Sequence, residues 1–122
     1  MARLTRRLAV AAAAIAAAAG LAACGGGTNS SAVAACGGVH RALADFARSQ
    51  HAPTRAIAAA DLAAAQHQIA LVMQDAAIAN SQDGTYNALM TLMQQAQEVP
   101  FRDVVPALTV ECRAVDSPTG FL

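Results

Sequence analysis

From Ser31 to the carboxyl end, apolar residues recur at spacings of three and four with no stretch of strict alternation, so the pattern is helical throughout. Cys36, Val39, Leu43 and Phe46 share one face of a first helix over about residues 32–49. The run "SQHAPT" interrupts it, with Pro53 as the break and Thr54 as the N-cap of the next helix. Ala58, Leu62, Ala65, Ile69, Val72, Ala76 and Ala79 then alternate steps of four and three, predicting one long second helix over about residues 55–80. Asp61 is the cap of a later start for the same helix.

A second turn signal, "NSQDGT", places Asp83 or Thr85 at the next cap. Tyr86, Leu89, Met93 and Ala96 form a third face that ends near Val99, because Pro100 disfavours helix in the residue before it. Phe101, Val104, Leu108, Cys112 and Val115 define a fourth. Pro106 is tolerated in a first turn, so this helix is predicted to begin between Asp103 and Val105 and to end near Val115. Four helices with short connections predict an all-α, up-and-down four-helix bundle.

Residues 1–23 have a different character. Arg3, Arg6 and Arg7 precede an uncharged, Ala-dominated run at residues 8–19, which has the layout of a secretory signal and is too short for a spanning helix. Leu21, Ala22, Ala23 and Cys24 then resemble the lipobox of bacterial lipoproteins, covering about the first fifth of the chain. That resemblance implies cleavage before Cys24, lipidation of its sulfur and acylation of the new amino terminus. One acyl chain holds a protein only marginally, and two or three make the attachment durable. Thr5, Arg6 and Arg7 also resemble the start of a twin-arginine export signal, although Ala9 and Val10 stand where that signal carries large apolar residues. Residues 24–31 comprise Cys24 and the tether "GGGTNSS", which spans roughly 15 Å as a flexible chain. The helical domain is residues 32–122. The likeness extends to small Ala-rich helical lipoproteins of high-GC Gram-positive bacteria and carries no activity with it.

Composition sharpens this picture. The precursor is formally neutral, but removing residues 1–23 leaves five Arg against eight acidic residues, a charge of −3 that argues against a nucleic-acid surface. Aromatic residues make up 3% of the chain, and Ala supplies more than a quarter of it, so the core is poor in bulk and marginal without a staple. Lipidation of Cys24 leaves Cys36 and Cys112 as an even pair on predicted buried faces. In an oxidising compartment they are expected to bridge the first and last helices, with Cα atoms about 4.4 to 6.8 Å apart.

Candidate chemistry is sparse. His40, His51 and His67 lack His or Cys partners at zinc spacing, Ser49 and Ser81 lack a nucleophile motif, and Asp61, Asp75 and Asp83 are not arranged as a catalytic pair. No enzymatic activity, metal or cofactor is expected. Met73, Met90 and Met93, with His67 nearby, are the one set soft enough for Cu(I), and as core filler they need no metal. The expected function is a lipid-anchored interaction or binding module on the extracytoplasmic face of a cell membrane, contacting an envelope protein or component. An outer membrane stays open because Gly25, not Asp, follows Cys24. The second reading is a small-ligand or copper carrier. A carrier needs a cavity or converging ligands, whereas an interaction module needs an exposed apolar patch.

Overall fold

The computed structural model describes residues 29–117. Helix α1 is Ser30–Gln50, α2 is Arg55–Leu71, α3 is Met73–Gln82, α4 is Asn87–Gln95 and α5 is Phe101–Asp116. A single 3-10 turn at Gly84–Tyr86 precedes α4, and no strand occurs among the described residues. Helices α2 and α3 are separated only by Val72 and act as one broken rod, so the five segments form four rods.

The caps explain most boundaries. Asn29 Oδ1 accepts the Ala32 N–H at 3.0 Å and starts α1 two residues before the expected position. Thr54 Oγ1 accepts the Ile57 N–H at 3.2 Å, so α2 begins at Arg55 and the alternative start at Asp61 is not used. Asp83 Oδ1 accepts the Thr85 N–H at 3.0 Å and opens the 3-10 turn. The third rod ends as regular helix at Gln95. Its last residues continue as hydrogen-bonded turns, with Val99 N–H donating to the Gln95 carbonyl at 2.9 Å.

Two boundaries differ from expectation. The last helix begins at Phe101, ahead of Asp103, and runs through Pro106. Phe101 is fully buried, and its ring centroid lies 5.4 Å from that of Phe46, so the first turn is fixed by an aromatic contact. Pro106 is exposed, as is Arg102, whose carbonyl loses its helical donor on a solvent-facing side where water can replace it. The second helix also breaks at Val72, with φ −112° and ψ 11°. Its N–H reaches back three residues to the Ile69 carbonyl at 3.2 Å, a tighter turn than the α-helical step.

Side-chain contacts set the topology. Asn29 donates to Gln82 Oε1 at 2.9 Å and Arg41 to Gln68 Oε1 at 3.1 Å, so α1 runs antiparallel to the α2–α3 rod. Asn80 meets Met90, and Gln97 donates to the Gln66 carbonyl at 3.0 Å, which returns α4 along that rod. The Phe46–Phe101 and Cys36–Cys112 pairs lay α5 antiparallel against α1. The result is the expected up-and-down four-helix arrangement. Its core combines small residues, Ala35, Ala42, Ala65, Ala76 and Ala96, with Val39, Ile69, Leu89, Met93, Phe101 and Leu108.

Where α1 meets the rod, Gly38 faces Val72. A Cβ on Gly38 would sit 2.3 Å from Val72 Cγ2 and 2.8 Å from Cγ1, distances that close-packed atoms do not occupy. The sequence marks Gly37 and Gly38 alike as weak points of the first helix, but only Gly38 is a notch. A Cβ on Gly37 would meet nothing nearer than Arg41 Nη1 at 3.7 Å. The break in the rod falls at the residue that fills the notch, so local geometry and packing agree at Val72.

The Cys36–Cys112 disulfide joins the first and last helices across 76 positions with a Cα–Cα distance of 5.4 Å, and both residues are fully buried. It closes the ring of rods where α5 returns to α1.

This geometry sets two expectations for stability. Gly38→Ala is expected to destabilise the domain by about 1–3 kcal/mol, as overpacking of a filled site does, whereas Gly37→Ala is expected to gain up to about 1 kcal/mol through helix propensity. Urea unfolding of the two variants measures both. Reduction of the disulfide is expected to cost about 2–5 kcal/mol, most of the stability of a small domain, and thermal unfolding with and without reductant reads the difference.

Candidate functional site

The sequence-derived candidates are scattered over the bundle. His40 is exposed on α1 and hydrogen-bonds Asp116 at the end of α5, beside a shallow groove of about 390 Å³ that Thr109, Arg113 and Ser117 also line. His51 lies at the opposite end, in the connection between α1 and α2. It borders an open depression of about 450 Å³ with Arg48, Pro53, Ile57 and Asp61. His67 is exposed on α2. No group of three or more His, Cys, Asp or Glu gathers among the described residues.

The hydroxyls are engaged with the backbone. Ser49 Oγ donates to the Phe46 carbonyl at 2.6 Å and Ser81 Oγ to the Ile78 carbonyl at 2.7 Å, each within its own helix. Neither has a base beside it. Asp83 is occupied as a cap, and Asp45, the one buried acid among the described residues, pairs with Arg48 one turn on. That pairing gives the buried carboxylate the hydrogen-bonded partner that burial requires.

The methionines belong to the packing. Met93 is fully buried, Met73 and Met90 pack at the edge of the core, and Met90 Sδ accepts from Asn80 Nδ2 at 3.7 Å. Since His67 faces outward while Met93 faces the core, these sulfur atoms and the imidazole do not converge on a common point.

The sequence pattern assigns the α2–α3 rod one apolar face, the buried one. Much of its outer face is apolar too. Ile57, Leu71 and Ile78 are 46%, 60% and 38% exposed, and Ala56, Ala59, Ala60, Ala63, Ala70 and Ala77 are exposed beside them. The 28-residue span Arg55–Gln82 has an 18-residue window of mean hydropathy 1.3 of which only 17% is buried. By length and composition it could cross a membrane. Against a spanning role stand Asp61 and Asp75, each costing about 2.5–3.5 kcal/mol at a bilayer centre, and the packing of its other face onto α1. The signal for this surface is present in the sequence. An amphipathic helix carries polar residues opposite its core stripe, and here His67, Gln74 and Ser81 hold that position while Ala, Ile and Leu flank it.

Cys24 lies outside the described residues. Asn29, five positions after it and the first described residue, is bonded to Gln82 at one end of the apolar face. Searches against known proteins find no matching family model, no matching curated protein and no matching solved structure.

Replacing Met90 and Met93 together by Leu is expected to change stability by less than about 1.5 kcal/mol, as volume-conserving swaps do. Calorimetry with Cu(I) on wild type and double variant completes the test. Tight binding that the double variant loses would assign these residues to a metal site.

Proposed function

We propose that the chain is a lipid-anchored interaction module of a bacterial cell envelope, attached through Cys24 and presenting a helical face to its partner. The observation that carries the reading is the use of the cysteines. Cys36 and Cys112 are joined to each other, which leaves Cys24 as the odd cysteine, and it sits after Leu21, Ala22 and Ala23 in the lipobox-like position. A buried disulfide suits an oxidising compartment outside the cytoplasm, where an exported lipoprotein resides.

Two features support the interaction part. The side chains able to do chemistry are dispersed or tied to the backbone, whereas the α2–α3 rod exposes a long apolar face of the kind that marks binding surfaces. Asn29, five positions after Cys24, is bonded to Gln82 at one end of that face, so a membrane anchor at Cys24 keeps the face close to the bilayer and to other membrane-held proteins. Palmitate or a similar acyl chain is the expected modification.

The test is the anchor. Cys24→Ala is expected to release the domain from the membrane fraction or to leave an unprocessed precursor, and intact-mass analysis distinguishes these outcomes. A membrane-bound wild type whose amino terminus is not an acylated Cys24 would overturn the reading.

A further inference from the structure

We draw no further inference here: the strongest candidate, the exposed apolar patch of Ile57, Leu71 and Ile78 on the outer face of the α2–α3 rod, carries nothing because nothing in the structure shows what covers it.

Discussion

Contact between α1 and the α2–α3 rod at Gly38 and Val72 is the constraint on which the rest of the bundle depends. The domain has few large side chains, and its core contains many methyl groups of Ala, each of which releases little free energy on burial. Such a core is stable only if the helix axes approach closely enough for dispersion contacts to accumulate. At Gly38 a Cβ would collide with Val72, and its absence leaves space that Val72 fills with a branched side chain. The rod breaks at that residue, since its backbone leaves the helical region there. The other rods then close around this pair, with Phe101 against Phe46 at one level and the Cys36–Cys112 bridge at another.

The disulfide and the close approach serve different ends of the same problem. Packing stabilises the folded state, while a bridge over 76 positions restricts the unfolded chain. Together they account for a bundle in which Phe101 is the one fully buried aromatic among the described residues.

Much of this is legible in the sequence. Spacings of three and four identify the inner faces of all four rods, and the large residues assigned to them, from Cys36 and Val39 to Leu108 and Val115, are buried or packed at the core edge, except Tyr86, which is half-buried in the 3-10 turn ahead of α4. The cysteine pair is legible because Cys36 and Cys112 fall in those periodic columns. The break at Val72 is not, because nothing in "LVMQD" is a turn signal; it falls at a tertiary contact with a glycine 34 positions earlier. The early start of the last helix is hidden for a related reason, since Pro106 argues locally for a late start while the burial of Phe101 decides the matter. The outer face of α2–α3 escapes notice because Ala satisfies helix propensity and hydrophobic periodicity at once, and only exposure separates the two roles. Of the candidate functional residues, the imidazoles and hydroxyls can be named from the sequence. Their dispersal over the bundle is a property of the fold.

A double-mutant cycle on Gly38→Ala and Val72→Ala tests the central claim most directly. If the two residues form the notch and its occupant, truncating Val72 makes room for the added methyl group, so the cost of Gly38→Ala measured by urea unfolding falls by about 1 kcal/mol or more in the Val72→Ala background. Additivity within about 0.5 kcal/mol, the behaviour of sites that share no contact, would contradict the account.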